Sequence, residues 1–492
     1  MRIPFSTWLA PVPPHAAWPT VVGDLRQDSR AVKPGDVFIA IQGTHQDGRA
    51  YIPAAIAKGA AAILIEGPEG TTLESGVPVI SVPHLKARLA SLAAAFYGEP
   101  AKALPLIGVT GTNGKTSCSH FVAEALHALG EPCGLMGTLG SGFYGALGEP
   151  GLTTPEACGL QALLRQFVDQ GAKAVAMEVS SHSIAQGRID GLQFETALFT
   201  NLTQDHLDYH GDMQTYASVK YRFLAEWPNK NVVINVEGAY GLRFANELAK
   251  QRLIYATAVN RPANLHASLR LTYTEDVTLS IHGVHARVIS PFGEGELTLP
   301  LIGEFNLSNV LLVLNALCLH GLPFDKVLTG LSKLTPVPGR MQTLALPGRP
   351  LVVVDYAHTP DALDKVLSAL RQHTQGKLVC VFGCGGDRDP LKRPLMAEAV
   401  ERWADHIIVT NDNPRHEAGE AIAEAIMAGF KRKDGVSVLL NRSKAIEKSI
   451  QYAGVGDCVL IAGKGAERYQ QVGDEKIPFD DVHEARHYLG SI

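Results

Sequence analysis

The sequence has few of the features that mark a membrane or secreted protein. Its apolar runs, AVAMEV and VVIN among them, are far shorter than the roughly 20 residues that a membrane-spanning helix needs. The first residues, MRIPFSTWLAPVPPHAAWP, contain one early arginine and no long apolar core, and prolines interrupt them. We therefore expect no signal peptide, no membrane anchor and a location in the cytoplasm.

Cysteine is scarce and carries no recognisable pattern. Seven cysteines are scattered along the chain, and Cys380 and Cys384 form the only close pair. A zinc site would need a second pair or a histidine cluster at a suitable spacing, and neither is present. We expect free thiols that are buried or partly buried.

Neither sign of charge dominates the sequence. The 44 basic and 49 acidic residues give a formal charge of -5, whereas general nucleic-acid binding needs a basic face. No run of five or six like charges suggests a charged tail. We expect no nucleic-acid partner.

Strands alternate with helices along the chain, which is typical of an α/β fold. At about 150 residues per domain, 492 residues allow roughly three domains. We predict domains at 1–98, 99–335 and 336–492: the central one has a P-loop-type parallel sheet, and the last is a Rossmann-like α/β domain. The alternating segment 262–300 predicts a small antiparallel excursion. Most polar and glycine-rich clusters follow predicted strands, where α/β sheets bind ligands, so we expect them to face one cleft.

The string GTNGKT at 111–116 lies between the apolar strand LPLIGVT and a predicted helix. Its glycines let backbone N–H groups turn toward phosphate, and the helix N-terminus adds partial positive charge. The usual G-x-x-x-x-G-K-[ST] spacing is not met, because Val109 stands where its first glycine would be. Lys115 can reach the β- and γ-phosphates of ATP, and the Thr116 hydroxyl can bind Mg²⁺. The predicted ATP-binding loop is Gly111, Thr112, Asn113, Gly114, Lys115, Thr116 and Ser117.

Other candidates have two interpretations from the residues alone. Glu178 ends a predicted strand and could hold Mg²⁺, or it could be a surface carboxylate. In DHLDYHG one histidine could reach Mg²⁺ or phosphate, or these side chains could cap a loop. Lys220 by itself is typical of an ordinary helical lysine. Arg388 and Arg415 on strand-end loops could clamp a carboxylate, or they could be solvated.

Taken together, several strings resemble the Mur ligase family, the ATP-dependent amide-forming enzymes of peptidoglycan precursor synthesis. They are GTNGKT, TTPEA, EVSSH, TNLTQDHLDYHG, GRM, VVVDYAHTPDAL, FGCGGDRD, DNPR and AGKG, and the resemblance runs from residue 28 to about residue 470. It implies a monomeric cytoplasmic ligase of cell-wall synthesis and cell division, whose three domains bind a UDP-sugar, ATP and an amino acid. A substrate carboxylate would attack the γ-phosphate, and an amine would then displace phosphate from the acyl phosphate.

The resemblance also implies roles for individual residues. Mg²⁺ would be bound by Thr116, Glu178, His206 and Lys220, with Lys220 carrying a carbamate formed from CO₂. Lys115, Lys220, His206 and Arg340 would be catalytic, and Asn306, Asn309, Asp355 and His358 would lie at the nucleotide. The UDP-sugar would contact Ser29, His45, Gln46, Thr153, Thr154, Ser180, Gln186 and Arg188, although GTHQDG departs from the family strings.

DNPR is the string that the family links to meso-diaminopimelate as the incoming amino acid. L-Lysine lacks its distal carboxylate, which Arg415 would clamp while Glu467 holds the distal ammonium. Arg388, Asp412, Asn413, Pro414 and Gly463 would complete the pocket, and Ala466 stands where the family commonly has histidine. The implied reaction adds diaminopimelate to the D-glutamate of UDP-MurNAc-L-Ala-D-Glu. The alternatives are L-lysine as acceptor, another Mur ligase, folylpolyglutamate synthase, or an inactive nucleotide-binding regulator.

Overall fold

The computed structural model describes residues 5–9, 12–43, 46–280 and 283–490. As far as they are described, Met1–Gly108, Gly130–Ala197 and Arg222–Lys230 pack into one compact unit, here called unit 1. Val109–Leu129, Leu198–Tyr221 and Asn231–Ile492 form a second, unit 2. Because each unit is built from several chain segments, the predicted domain limits stay a prediction.

The strands alternate with helices, as the sequence pattern indicates. The strands are β1 (Leu25–Arg26), β2 (Val37–Ala40), β3 (Ala62–Glu66), β4 (Gly70–Glu74), β5 (Val77–Val82), β6 (Leu106–Thr110), β7 (Cys133–Gly137), β8 (Gly140–Phe143), β9 (Ala146–Leu147), β10 (Ala174–Glu178), β11 (Phe194–Phe199), β12 (Asn229–Asn235), β13 (Tyr255–Thr257), β14 (Arg270–Ser280), β15 (Gly283–Ser290), β16 (Gly293–Leu299), β17 (Gln342–Leu344), β18 (Leu351–Asp355), β19 (Leu378–Phe382), β20 (His406–Val409), β21 (Val436–Val438), β22 (Cys458–Ala462), β23 (Tyr469–Val472) and β24 (Glu475–Pro478).

The helices cover the sheets and follow the strands. They are α1 (Phe5–Trp8), α2 (Ile52–Ala57), α3 (Leu85–Phe96), α4 (Lys115–Ala128), α5 (Ala157–Asp169), α6 (Ser181–Ala185), α7 (Leu207–His210), α8 (Met213–Ala225), α9 (Ala239–Leu248), α10 (Glu304–Leu319), α11 (Phe324–Leu331), α12 (Pro360–His373), α13 (Lys392–Glu401), α14 (Gly419–Met427), α15 (Arg442–Tyr452) and α16 (Asp481–Gly490), with 3₁₀ turns at Ser29–Ala31, Gly48–Tyr51 and Pro100–Ala103. Within the described ranges, no helix combines the length and apolarity needed to cross a membrane.

Unit 1 contains a five-stranded sheet in the order β1-β2-β3-β5-β4. Its neighbouring strands pair in parallel, except that β4 pairs antiparallel with β5 at one edge. Alternate residues of β2 face opposite cores: Val37 and Ile39 pack with α3 residues, whereas Phe38 and Ala40 pack with Ala55 of α2. Both faces are therefore covered, which explains why β2 is an uninterrupted apolar run.

The last part of unit 2 contains a six-stranded sheet in the order β17-β18-β22-β19-β20-β21. It is parallel apart from β17, which pairs antiparallel with β18. Val353 faces a core shared with α12, α13 and α14, whereas Val352 and Val354 face a core shared with α15 and α16. Helices on both faces of a parallel sheet are the doubly wound arrangement, so the predicted Rossmann-like α/β architecture is confirmed.

Two smaller expectations are also confirmed. Strand β15 pairs antiparallel with both β14 and β16, as the alternating segment 262–300 predicts. All seven cysteines are free; Cys318 is partly exposed and the others are buried.

Candidate active site

The phosphate-type loop lies between β6 and α4 and is braced by the segment that follows β11. The backbone N–H of Thr112 donates to the carbonyl of Asn201 at 2.9 Å, and the N–H of Asn113 donates to Asn201 Oδ1 at 3.0 Å. Gly111 has φ +148°, and a side chain there would clash with the Thr200 hydroxyl. The loop is therefore fixed in place by its neighbour, and glycine is required at its first position.

Gly114, which precedes the first residue of α4, lies close to Asn309 of α10. Gly114 has φ +87°, and a Cβ atom there would lie 2.6 Å from Asn309 Oδ1. Asn309 and Asn306 are buried in the first turns of α10. The structure therefore brings Asn309, a predicted nucleotide residue, directly against the loop.

Two lysines converge on one carbonyl of the loop. Lys115 Nζ donates to the carbonyls of Gly111 at 3.0 Å and Thr112 at 2.9 Å, and Lys220 Nζ donates to that of Gly111 at 2.8 Å. Lys220 is 1% exposed. Burial lowers the pKa of Lys220 well below its ordinary value, and the Lys115 charge lowers it further, against the opposing effect of Asp205. Burial therefore favours the neutral, nucleophilic form of the Lys220 amine.

A buried carboxylate, Asp205, organises the loop that follows β11. Asp205 lies 3.4 Å from Lys392 Nζ, 3.4 Å from His206 Nε2 and 3.7 Å from His358 Nε2. Burial alone would raise the pKa of Asp205, but the Lys392 charge, a hydrogen bond from His358 and the charges of both histidines hold it well below its usual range. The cluster joins loops from distant parts of the sequence, and it places His206 and His358 on one carboxylate.

Lys392 belongs to this cluster although sequence reasoning did not single it out. It is 4% exposed and stands at the beginning of α13. Gln204 Nε2 also donates to Asp389 Oδ2 at 3.1 Å across the same junction. A lone lysine in the string LKRP has no spacing signal, so only the fold reveals this role.

Arg340 reaches the phosphate loop from the segment that precedes β17. Its Nη2 donates to Thr116 Oγ1 at 3.1 Å, and its guanidinium lies 4.3 Å from the centre of the Tyr356 ring. Burial, followed by the Arg340 charge, lowers the pKa of His120 to about 4. His120 is therefore neutral at physiological pH and adds no charge beside Arg340.

A small cavity opens beside this arginine. It has a volume of about 100 Å³ and is lined in part by Ser117, Asn306, Pro336 and Arg340. Asn306 Nδ2 donates to the carbonyl of Ile302 at 2.9 Å. The cavity thus joins three predicted nucleotide or catalytic residues at the end of the phosphate loop.

Asp355 lies at the end of β18, and both of its carboxylate oxygens accept hydrogen bonds from backbone N–H groups. It accepts from the N–H groups of Met341 and Ala357, each at 2.7 Å. Burial raises its pKa, although the Arg340 charge and these hydrogen bonds oppose the shift. Asp355 therefore fixes the position of the GRM segment that carries Arg340.

The predicted acceptor residues lie on loops after β19, β20 and β22. Asn413 Nδ2 donates to Glu467 Oε2 at 2.9 Å, so two of them are in direct contact. Arg415 has φ +53°, and its Nη1 donates to the carbonyl of Gly386 at 2.6 Å. Pro414 is buried, and its carbonyl lies so close to Gly386 that a side chain there would clash.

The remaining acceptor residues differ in how tightly they are held. Arg388 is exposed, and its Nη1 donates to the carbonyl of Asp387 at 3.4 Å. Asp412 is buried; burial would raise its pKa, but the charges of Lys464 and Arg442 lower it. Gly463 has φ +117°, and a side chain there would meet Asp412.

A buried ion pair lies beneath these loops. Arg442 Nε and Nη2 each donate to the carboxylate of Asp481 at 2.7 Å, and both side chains are fully buried. Arg442 also donates to the carbonyls of Ala462 at 2.9 Å and Asn411 at 3.3 Å. One guanidinium therefore ties down the backbone next to Gly463 and next to Asp412.

A second group of predicted residues meets in unit 1. The Thr154 hydroxyl donates to the carbonyl of Glu178 at 2.7 Å and to Ser180 Oγ at 3.3 Å. Arg188 donates to the carbonyl of Thr154 at 2.9 Å and, through Nε, to Gln186 Oε1 at 2.9 Å. Thr153, through Thr138, belongs to the same network.

A cavity of about 800 Å³ is lined by predicted sugar-nucleotide residues of unit 1. Ser29, Gln46, Gln186 and Arg188 all contribute to its wall. His45 lies outside the described residues. Lys58, Lys86 and Tyr51 also line the cavity, and sequence reasoning missed them because a single lysine or tyrosine at the end of a helix carries no distinguishing pattern.

Glu178 is 1% exposed at the end of β10. It accepts from the N–H of Thr138 at 2.8 Å and from the Thr138 hydroxyl at 3.3 Å. The interpretation of Glu178 as an exposed surface carboxylate is therefore wrong, because the fold buries it.

The donors available for Mg²⁺ suit a hard cation that takes most of its ligands from phosphate and water. Within the described part of the chain, no group of three or more His, Cys, Asp or Glu side chains is arranged to hold a metal. Of the residues assigned by resemblance, Thr116 and His206 of unit 2 offer one hydroxyl and one imidazole, and Glu178 of unit 1 offers one buried carboxylate. Lys220 would add anionic oxygens only as a carbamate, and its lowered pKa favours the neutral amine that reacts with CO₂.

Comparison with known families identifies the framework that carries these loops. Residues 24–97 match the model of the Mur ligase family catalytic domain, residues 109–317 the Mur ligase middle domain, and residues 339–465 the Mur ligase glutamate ligase domain. The chain belongs to the Mur ligase family. The resemblance predicted from GTNGKT and the other strings is thereby confirmed.

Individual relatives are similar over nearly their whole length. The chain is 48% identical over 480 residues to the UDP-N-acetylmuramoyl-L-alanyl-D-glutamate--2,6-diaminopimelate ligase of Pseudomonas aeruginosa, covering 97% of each chain. It is 48% identical to the ligase of the same name from Coxiella burnetii, covering 94% of this chain and 95% of the relative. A solved structure of a diaminopimelate ligase of that name is 34% identical, with a TM-score of 0.67 over 100% of this chain and 99% of the other.

A more distant solved structure shares the fold alone. The MurF ligase of Thermotoga maritima in complex with ADP is 19% identical, with a TM-score of 0.67 over 95% of this chain and 96% of the other. The predicted α/β fold class therefore agrees with both the sheets described above and this structural neighbour.

Proposed function

We propose that the chain is an ATP-dependent ligase that joins meso-diaminopimelate to the D-glutamate of UDP-N-acetylmuramoyl-L-alanyl-D-glutamate in peptidoglycan precursor synthesis. The observation that carries this proposal is the 48% identity, over 97% of both chains, to a ligase with that printed activity. We assign residues 1–98 to the UDP-sugar, 99–335 to ATP and 336–492 to the amino acid.

In the first step, the D-glutamate carboxylate attacks the γ-phosphate of ATP and forms an acyl phosphate. This step brings two anions together, so it needs concentrated positive charge. Lys115 supplies a cation at the phosphate loop, and Arg340 approaches the same loop through Thr116. Mg²⁺, when bound, neutralises further phosphate charge. A carbamate on Lys220 is part of the proposal, and the support for it is the buried amine with a lowered pKa.

In the second step, the amine of the incoming amino acid displaces phosphate from the acyl phosphate. Arg415 holds the distal carboxylate by paired hydrogen bonds, and Glu467 accepts from the distal ammonium. Two observations support this assignment: Arg415 lies on the same loop as Asn413, and Asn413 donates to Glu467. L-Lysine would leave Arg415 without its carboxylate partner, which disfavours it as acceptor.

The setting of the reaction follows from the same proposal. A nucleotide sugar and ATP are cytoplasmic substrates, and seven free cysteines are typical of a reducing compartment. We propose a monomer that acts without nucleic acid and without a membrane partner.

An acceptor comparison tests the proposed function. Purified protein is incubated with ATP, Mg²⁺ and UDP-MurNAc-L-Ala-D-Glu, and phosphate release is measured after addition of meso-diaminopimelate or L-lysine. We expect release with diaminopimelate and little with L-lysine. Turnover with L-lysine alone would contradict the acceptor assignment, and turnover with neither amino acid would contradict the ligase assignment.

A further inference from the structure

A fully buried ammonium lies beside the proposed acceptor pocket. Lys464 is 0% exposed, and its Nζ donates to Asn413 Oδ1 and to Glu467 Oε2, each at 2.9 Å. Asn413 Nδ2 donates to the same Glu467 oxygen at 2.9 Å. Two donors therefore converge on Glu467 Oε2, while Glu467 Oε1 lies 3.5 Å from the Tyr356 hydroxyl.

This arrangement leaves the two carboxylate oxygens of Glu467 with different tasks. Oε2 is occupied by a cation and an amide within the protein, so it has little remaining capacity for a substrate. The Glu467 side chain is 23% exposed, although its partner Lys464 is fully buried. A ligand can therefore reach Glu467 while the buried lysine fixes its position and offsets its charge.

We propose that Lys464 is a positioning residue that sets the acceptor specificity of the ligase. It neutralises Glu467 and presents Oε1 to a distal ammonium, so that the pocket favours an amino acid ending in both ammonium and carboxylate. This inference rests on the proposed function, because it assigns Glu467 and Arg415 to the distal end of the acceptor.

The physical basis is the balance of charge at that end of the pocket. Lys464 pairs with Glu467 and also opposes the charge of Asp412. With Lys464 in place, Arg388 and Arg415 together carry one positive charge more than the acids of these loops balance, and a ligand must balance it. A distal carboxylate balances it, whereas a side chain ending only in an amine adds a second positive charge that nothing offsets. Removing the Lys464 charge leaves Glu467 to balance Arg415, which lessens the penalty for a simple amine.

The experiment compares meso-diaminopimelate with L-lysine in the full-length enzyme. In Lys464→Met we expect a higher KM for diaminopimelate, a lower KM for L-lysine, and a shift in the ratio of their kcat/KM values by roughly tenfold toward L-lysine. Lys464→Gln keeps hydrogen-bonding capacity without the charge, and it should shift the ratio in the same direction. In a Glu467→Gln background, Lys464→Met should shift the ratio less, because the part of the effect that acts through Glu467 is already absent.

Lys392→Met is the matched control, since Lys392 is also a buried lysine paired with a carboxylate, Asp205. It should affect both acceptors by the same factor. For a variant that no longer turns over, calorimetry in the presence of ADP gives the dissociation constant of each amino acid. The ratio of these two constants then replaces the ratio of the kcat/KM values. An equal loss for both acceptors in Lys464→Met and Lys464→Gln would overturn the proposal and leave Lys464 a structural residue. The wild-type enzyme tests the proposed function separately, by using or rejecting diaminopimelate.

Discussion

Lys220 Nζ lies 2.8 Å from the carbonyl oxygen of Gly111, although 109 residues separate them in the chain. Burial, followed by the charge of Lys115, lowers the pKa of this amine well below its ordinary value. The phosphate loop therefore has a lysine whose neutral form is favoured next to a charged one. This pairing suits the proposed division of labour, in which Lys115 contacts phosphate and Lys220 reacts with CO₂.

Lys220→Met should raise stability and abolish most activity. The unfolded chain protonates this lysine up to its ordinary pKa, whereas the folded chain releases the proton at a lower pH, so burying it costs stability near neutral pH. We expect the free energy of unfolding without ligands to rise by about 1 kcal/mol, with activity falling by a factor on the order of 10². Urea denaturation and phosphate release measure the two effects.

The control for this prediction is Lys392→Met. That lysine is also buried but pairs with Asp205, so its removal leaves a buried carboxylate without its ammonium and should destabilise the protein. If both substitutions destabilised the protein equally, the account of Lys220 as an amine held neutral by burial would be wrong.

His120→Gln should make the protein less sensitive to acid. Burial, then the Arg340 charge, lowers the pKa of His120 to about 4, so the unfolded chain takes up a proton that the folded chain does not. The resulting loss of stability is absent above pH 6.5 and grows as the pH falls from 6.5 toward about 4, with a slope of up to about 1.4 kcal/mol per pH unit. Unfolding free energies between pH 7 and pH 4 should fall less steeply in the variant. Equal slopes in variant and wild type would refute this assignment.

Gly339→Ala should disrupt the contact between the GRM segment and the loop that follows β22 and carries Gly463 and Glu467. Gly339 has φ +67°, and a Cβ atom there would clash with the backbone of Gly465 and Ala466. Gly348 is a matched control, because it has φ +74° but no atom within 4 Å of its Cβ position. We expect Gly348→Ala to cost about 1 kcal/mol from backbone strain alone.

For Gly339→Ala, the steric clash adds about 1–3 kcal/mol to the strain, and kcat/KM for the amino acid falls. Thermal unfolding and acceptor titrations measure both effects. If the two substitutions lowered the stability equally, the close backbone contact at Gly339 would not contribute to the effect.

Arg442→Met should destabilise the protein more than the loss of an exposed ion pair would. It leaves Asp481 buried without a cation, which costs about 3–5 kcal/mol. It also releases the carbonyls of Asn411 and Ala462, so the KM for the amino acid should rise while the KM for ATP changes little. Arg287→Ala breaks an exposed pair with Glu294 and should lower the free energy of unfolding far less, because solvent screens exposed ion pairs. A small effect of Arg442→Met in urea denaturation would contradict the anchoring role.

The parts of the site that could be predicted from sequence are those formed by residues that follow one another in the chain. GTNGKT is a strand, a loop and a helix start in direct succession, so its chemistry is visible in six letters. Lys220 is different, since as a helical lysine it has no local signal and the resemblance alone assigned it a role. Its burial and its contact with Gly111 arise only when the chain folds.

Long-range pairs were missed for the same reason. Lys392 and Asp205 are 187 residues apart, and Arg442 and Asp481 are 39 apart, with no spacing that links them. Lys464 stands within the quoted string AGKG, yet nothing in that string shows that the lysine is fully buried against Glu467. Short apolar runs predicted the buried strands of the parallel sheets, and alternation predicted the antiparallel strands within 262–300, because burial along a strand is a local property.

Competition between two acceptors in one reaction tests the central claim most directly. Equimolar meso-diaminopimelate and L-lysine are supplied with ATP, Mg²⁺ and UDP-MurNAc-L-Ala-D-Glu, and the product is identified by mass. We predict that the wild-type enzyme forms the diaminopimelate product almost exclusively, and that Arg415→Met forms a mixture. A lysine product from the wild-type enzyme, or an unchanged preference in Arg415→Met, would contradict the account.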